Sequence, residues 1–328
     1  MTASTARAYD LVRTISSETR RILAKIAVDL VRALAHRARD ASPGATEPRT
    51  VASGPGWNVA DVLCTCGPGD RAFEERHGVF CIALVVSGAF EYRSETGAAL
   101  MAPGAVMLGN AGECFQCGHR HSAGDRCVAF HYQPDYFERV FADAGVARRR
   151  LSFGVPRIEP SRAFARLVAV ASSAVLGAAG MAWDEMALTL AVRVLRTVEG
   201  MPAFDAKPVP AGALARVVDT LRRIDDMPDS ALGLDRLAEY AGLSPYHFLR
   251  TFERATGVTP HQYVLRARLR GAAQRLADTR DKIVDVALDS GFTDLSNFNR
   301  AFRAEFGAPP RGYRASWQRL GAPEQETR

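Results

Sequence analysis

Cys114, Cys117, His119, His121 and Cys127 lie within one short stretch of the chain. Thiolates beside imidazoles suit a tetrahedral, thiophilic metal such as zinc, and Cys-x2-Cys-x-His-x-His is a usable ligand spacing. On a strand, alternation puts His119 and His121 on the side of Cys117 and Cys114 on the other, unless a turn intervenes. Cys81 from a neighbouring strand, or Cys64 or Cys66 from across the fold, could complete the set. Redox-active thiols and plain buried residues are the other readings of the same cysteines.

A second group carries a different chemistry. Tyr246, His247, Leu249 and Arg250 recur in kind as Ser296, Asn297, Asn299 and Arg300. Arg pairs bidentately with guanine, Asn pairs with adenine, and Leu249 can pack on a thymine methyl. Each group needs a rigid helix to present it, and the sequence supplies one. Leu237 to Gly242 and Val286 to Gly291 each read as a short helix stopped by glycine. Ser244 and Asp294 then cap a second helix, and Pro245 suits a first helical turn. Phe248 and Phe252, like Phe298 and Phe302, stand four apart and face inward, which turns the polar residues outward. The result is a helix-turn-helix written twice. Ala238, Gly242 and Leu243 match Ala287, Gly291 and Phe292. Phe248, Arg250, Phe252, Gly257, Pro260 and Tyr263 match Phe298, Arg300, Phe302, Gly307, Pro310 and Tyr313. A helix over His261–Asp278 joins the copies, with Arg266, Arg268, Arg270 and Arg275 on or near one side. Seven helices are expected from Ala211 to Trp317.

The run from Gly291 through Asn297, Arg300 and Gly307 to Pro310 and Tyr313 resembles the DNA-binding domain of the AraC family of bacterial transcription regulators. That resemblance implies two helices entering successive major grooves of double-stranded promoter DNA. It makes Tyr246, Arg250, Ser296, Asn297 and Arg300 base readers. Members of that family often carry a cupin-like barrel ahead of this unit, and the middle of the chain is similar in kind. The usual cupin metal pattern is not kept: Gly124-Asp125 follows the His-x-His pair where a glutamate would stand.

The remaining elements are read from periodicity. Residues 1–49 read as an amphipathic helix over Thr5–Arg39, with Leu11, Ile15, Ile22, Ile26, Leu30 and Leu34 on one face, and a linker at Ala41–Pro48. Residues 50–134 carry short alternating runs: Val59–Cys64, Phe80–Val86, Phe90–Arg93, Leu100–Met101, Ala105–Leu108 and Arg126–Tyr132. Glycines punctuate them, which predicts a small barrel with a filled or ligand-holding mouth. Residues 135–210 return to helical spacing, either as a dimerisation segment that pairs two copies or as helices packed back onto the barrel. The stripes include Phe164, Leu167, Val168 and Val175, then Met186, Leu188, Leu190, Val192, Val194 and Leu195. A Pro-rich linker closes the segment at Met201–Pro210. Residues 211–318 form the helical DNA-binding domain and 319–328 a tail. The fold class expected is therefore α+β: a cupin-like β-barrel, a helical dimerisation and linker segment, and an all-α double helix-turn-helix domain.

The chain has 328 residues, is 47% hydrophobic and carries a net charge of +6, nearly all of it from Arg. That composition has room for two or three folded domains and permits nucleic-acid binding. No run of about 18 apolar residues suggests a membrane span. No signal sequence is apparent, so the expected compartment is the cytoplasm, where six cysteines are thiols or metal ligands rather than disulfides. The expected partners are promoter DNA, a second copy of the chain, RNA polymerase if it activates, and a small-molecule or metal effector. The competing readings are a metal-dependent cupin-type enzyme with a fused DNA-binding domain, and a constitutive DNA-binding protein.

Overall fold

The computed structural model describes residues 24–145, 151–175, 182–199, 201, 209–230 and 232–320. The expected N-terminal helix before Ala24 and the tail from 321 onward lie outside the described residues. What remains of that helix is α1 (Ala24–Asp40), which docks on its own barrel. Leu30 is buried there, and Arg37 pairs with Asp70. Gly124, at φ +70, makes this possible: a Cβ on it would meet Leu30 Cδ1 at 2.7 Å.

Among the described residues ten strands follow, in two sheets. β1 (Thr46–Gly54), β2 (Trp57–Cys64), β4 (Phe80–Gly88), β7 (Val106–Gly109), β9 (Asp125–Tyr132) and β10 (Arg157–Ile158) form a six-stranded sheet in the order β1-β2-β9-β4-β7-β10. β3 (Phe73–Arg76), β5 (Phe90–Ser94), β6 (Gly97–Met101) and β8 (Cys114–Gly118) form a four-stranded sheet, β3-β8-β5-β6. Together they make the cupin-like barrel. Period-two alternation divides its strands. Cys81, Ala83 and Val85 of β4 face an interior filled by Tyr92, Met101, Met107, Cys117 and Cys127. Phe80, Ile82 and Leu84 face the other way, into a second core shared with helices. The barrel interior is thus packed.

One expectation is corrected here. The stretch Ala41–Pro48 is only partly a linker, because β1 begins at Thr46 and pairs Glu47 with Leu63 and Pro48 with Val62. Proline is tolerated because β1 is an edge strand. The helices of residues 135–210 are α2 (Pro134–Asp143), α3 (Arg162–Val175) and α4 (Trp183–Glu199), and their apolar stripes are spent within the chain. Phe137, Phe164, Val168, Leu190 and Val194 all enter the core on the outer face of the six-stranded sheet. Along α4 the buried series is Met186, Ala187, Leu190, Ala191, Val194, Leu195, which is helical spacing; Leu188 is left exposed.

Seven helices complete the fold: α5 (Ala211–Asp226), α6 (Leu234–Ala241), α7 (Pro245–Thr256), α8 (Pro260–Asp278), α9 (Ile283–Asp289), α10 (Leu295–Phe306) and α11 (Pro310–Leu320). α8 is the strut between the two helix-turn-helix units. Thr259 and Gln262 form a reciprocal capping box at its start. Its arginines are structural. Arg268 donates to the carbonyls of Pro228, Ser230 and Gly291, Arg270 pairs with Asp225, and Arg275 pairs with both Asp281 and Asp289. Tyr263, fully buried, donates to Asp225 at 2.7 Å.

Candidate nucleic-acid interface and the buried cysteine–histidine cluster

The two recognition helices are α7 and α10. Each is entered through the same turn. Gly242 (φ +61) and Gly291 (φ +79) adopt left-handed conformations that L side chains rarely take. The next amide then reaches back to the preceding helix: Leu243 N to Ala238 O at 3.0 Å, and Phe292 N to Ala287 O at 3.1 Å. These bonds satisfy carbonyls that the short helix leaves open. Ser244 accepts from His247 N in the first copy. Asp294 accepts from both Ser296 N and Asn297 N in the second, and a carboxylate at a helix N-terminus is favoured by the helix dipole.

Phe248, Phe252, Phe298 and Phe302 are fully buried, and this fixes which face each helix shows to solvent. Tyr246, His247 and Arg250 are exposed on α7, and Ser296, Asn297, Asn299 and Arg300 are exposed on α10. Leu249 departs from expectation by being half-buried. The long side chains are partly pre-arranged: Arg250 donates to the Tyr246 hydroxyl at 3.0 Å and Arg300 to Asn297 Oδ1 at 3.1 Å. The nineteen-residue strut α8 spans about 28 Å at 1.5 Å per residue. That is of the order of the ~34 Å separating successive major-groove entries.

The cysteine–histidine cluster is regrouped by the fold. β8 ends at Gly118, and the chain then turns, so strand alternation does not carry on to His119 and His121. His119 is buried, with Nε2 3.0 Å from Asp125 Oδ1 and 3.3 Å from Cys64 Sγ. Among the described residues, Cys64, His119 and Asp125 are the set whose ligating atoms converge. Cys117 is buried in the barrel core. Cys127 donates its thiol proton to Asp125 Oδ2 at 3.4 Å. Cys114 is paired opposite Arg76 at the edge of the small sheet, and His121 faces the outer side of the barrel. Sequence reasoning passes over Asp125, which is visible there only as the residue standing where a cupin glutamate is missing. Cys64 is one of three cysteines that the sequence cannot choose between.

The electrostatics distinguish these groups. Burial pushes the Cys117 and Cys127 thiols well above their usual range, and Cys81 to about 12. Thiols so held stay protonated and are poor redox sensors. Burial alone would lower His119, but its hydrogen bonds to Asp125 and Cys64 outweigh that and push it up to about 9. Ser122 spends its only hydroxyl proton on the Ala89 carbonyl, so it accepts from His119 Nδ1–H at 3.2 Å. Nδ1 is thereby fixed as a donor, and Nε2 is the atom that faces Cys64 and Asp125. That is the orientation a ligating imidazole requires.

Two helix-turn-helices on one strut, each with a capped and polar-faced second helix, define a DNA-binding protein of the double helix-turn-helix class. Residues 237–316 match the family described as a helix-turn-helix domain. Regulatory protein SoxS of Salmonella typhimurium is 35% identical over 100 residues, which cover 30% of this chain and 94% of SoxS. The transcriptional regulator MtrA of Neisseria gonorrhoeae is 29% identical over 99 residues; the match covers 30% of this chain but only 33% of MtrA's length. Among solved structures, an AraC-type regulator from Chromobacterium violaceum is 30% identical, covering 33% of this chain and 96% of that one, with a TM-score of 0.31. The chain belongs to the AraC family of transcription regulators.

Proposed function

We propose that α7 and α10 read base edges in two successive major grooves of a promoter, and that the barrel senses an effector that alters this binding. The observation that supports the reading is the duplicated turn geometry; on this reading Tyr246, His247, Leu249 and Arg250 would meet one groove and Ser296, Asn297, Asn299 and Arg300 the next. Binding as a homodimer in the cytoplasm, with contact to RNA polymerase at activated promoters, belongs to the same reading. No helix among the described residues is long and apolar enough to cross a membrane. Replacing Arg300 or Asn297 by Ala is expected to weaken binding to the specific site by about 1–3 kcal/mol while leaving non-specific binding nearly intact. Titration of operator and random duplexes checks this. Equal loss on both would show a phosphate contact instead.

A second reading concerns the barrel, and the convergence of Cys64, His119 and Asp125 favours it. The 3.0 and 3.3 Å separations are near the edges of a ligand tetrahedron, about 3.3–3.8 Å for metal bonds of 2.0–2.3 Å. A thiophilic ion such as zinc would be held by Cys64 Sγ, His119 Nε2 and a carboxylate oxygen of Asp125. It would supply a structural or sensing centre. Protein purified without chelator is expected to hold about one zinc-like ion per chain. The double variant Cys64→Ser, Asp125→Asn is expected to lose it. Absence of metal on elemental analysis, together with no saturable zinc site, would leave the three as a buried ion pair with a thiol beside it.

A further inference from the structure

Between the outer face of the small sheet and the first helix-turn-helix lies a cavity of about 190 Å³. Its floor is the solvent side of β5, β6 and β8. Its roof is the first turn of α5 and the last turn of α7. Arginines converge on it from several elements: Arg93 on β5, Arg120 after β8, Arg157 on β10 and Arg254 on α7, with the His121 ring beside them. Glu91 is the acidic residue lining it. Among the described residues, Arg93, Arg120 and Arg254 have no carboxylate partner.

The deepest of these residues is incompletely satisfied. Arg157, 4% exposed, donates through Nη1 to the Leu100 carbonyl of β6 and the Ala255 carbonyl of α7, at 2.6 and 2.8 Å. Its nearest carboxylate, Glu159, is 3.6 Å away and half-exposed. Arg157 Nε has no hydrogen-bond partner, and neither does His121 Nε2, although both atoms are buried. A buried polar atom without a partner is costly, and a native fold rarely leaves two in the wall of one cavity without a use. The rest of the lining is mostly apolar, with Leu100, Val209, Leu214 and several alanines; Gln116 and Tyr92 add polar groups. The first turn of α5 adds the partial positive charge of a helix N-terminus, with no acidic residue in that turn.

We infer that this cavity is the effector site, and that its ligand is a small organic monocarboxylate of about benzoate size. The volume sets the size: a cavity of about 150 Å³ accommodates benzene. The cationic lining sets the charge, and the apolar patch excludes a bare inorganic anion as the best fit. This inference rests on the reading of the chain as an effector-controlled regulator and moves the effector from the barrel mouth to its outer wall. Because the roof is α7, a ligand here bears directly on the helix that carries Tyr246 and Arg250.

The test uses the full chain without DNA, so that it stands apart from the DNA-binding reading. Calorimetric titration with benzoate is expected to show one saturable site. Benzamide, neutral and of the same shape, is expected to bind at least about tenfold more weakly, since it lacks the charge-assisted bonds. Arg120→Gln and Arg254→Gln, both at exposed positions that tolerate change, are each expected to weaken benzoate about tenfold. A set of aliphatic carboxylates and inorganic phosphate completes the panel, with phosphate expected to bind more weakly than benzoate. Equal binding of benzoate and benzamide would reduce the cavity to an apolar hole. No binding of any carboxylate, or unchanged affinity in both Arg variants, would overturn the site. If the site holds, benzoate is expected to shift operator affinity in the wild-type chain and to have little effect in Arg254→Gln at the same concentration. Benzoate binding with no shift at all would leave a ligand site but overturn its role as the effector site.

Discussion

His77 shows how one buried ring tunes the barrel. Its imidazole stacks on Phe115 at 4.0 Å, and its Nε2 lies 2.9 Å from the Tyr92 hydroxyl. Gly109 allows this approach, since a Cβ there would meet the ring at 2.3 Å. Burial, with His131 nearby, lowers the His77 pKa to about 4. The ring is therefore neutral when folded but titrates near 6.5 when unfolded. The unfolded chain binds the extra proton between those values, so stability is fully present above about 6.5 and is lost as pH falls toward 4. The span corresponds to about 3 kcal/mol. His77→Gln keeps a hydrogen-bonding group for Tyr92 without titrating, and is expected to flatten the pH dependence of the urea midpoint between pH 7 and 5. A wild-type and variant slope of equal steepness would assign the acid sensitivity elsewhere. At this scale the sequence is legible where partners are close along the chain. Asp294 and Asn297 announce each other from three residues apart. Cys64, 55 residues from His119, does not. Nor does the pairing of Arg157 with two carbonyls, because backbone acceptors carry no sequence signature.

At the scale of elements, the two helix-turn-helices are the most readable part of the molecule. Their punctuation is local: glycine stop, cap residue, and a phenylalanine pair four apart. Two of the strands missed by periodicity, β1 and β3, are polar edges. β3 reads Phe-Glu-Glu-Arg and β1 contains a proline, so neither shows the apolar alternation of a half-buried strand. The helical stripes of residues 135–210 pack largely on the barrel, which sequence could not choose over a second copy, since periodicity gives an apolar face but not what covers it. The two turn glycines, equivalent by sequence, differ in their surroundings. A Cβ on Gly242 would meet nothing closer than Arg216 Nη1 at 3.8 Å, whereas one on Gly291 would lie 2.9 Å from the Asp229 Cα. Both positions impose the left-handed penalty of about 1–2 kcal/mol on alanine. Gly291→Ala is expected to cost more than Gly242→Ala, because backbone must also move. Chemical denaturation of the two variants checks this; an equal loss would mean that the α5–α6 connection yields freely.

Across the whole molecule, barrel and DNA-binding unit are joined on two sides. Arg157 ties β6 to α7, and Leu100 and Ala102 share a core with Val217, Leu237 and Phe248. On the other side, Glu305 of α10 is buried between Arg162 and Arg266, at 3.6 and 3.3 Å, and Arg266 also donates to the Pro160 carbonyl. Arg157→Met is expected to cost about 2–3 kcal/mol through the loss of charged hydrogen bonds. It is also expected to split one calorimetric transition into two, as the barrel and the first helix-turn-helix come apart. A single transition at the wild-type temperature would show that the apolar seam alone holds them.

Helix α3 belongs to two cores at once. Phe164, Val168, Ala171 and Val175 lie with the barrel, while Ala165, Ala169 and Val170 lie against the aromatic centre of the second helix-turn-helix. Anyone building chimaeras would be tempted to cut at the proline-rich stretch before Ala211, where composition changes most abruptly. A cut there would hand the recipient a DNA-binding half with an oily scar where α3 had been, and would hand a foreign barrel no matching helix to fill it. The workable junction for exchanging sensors keeps α3's outward side constant and grafts only the face that looks into the barrel.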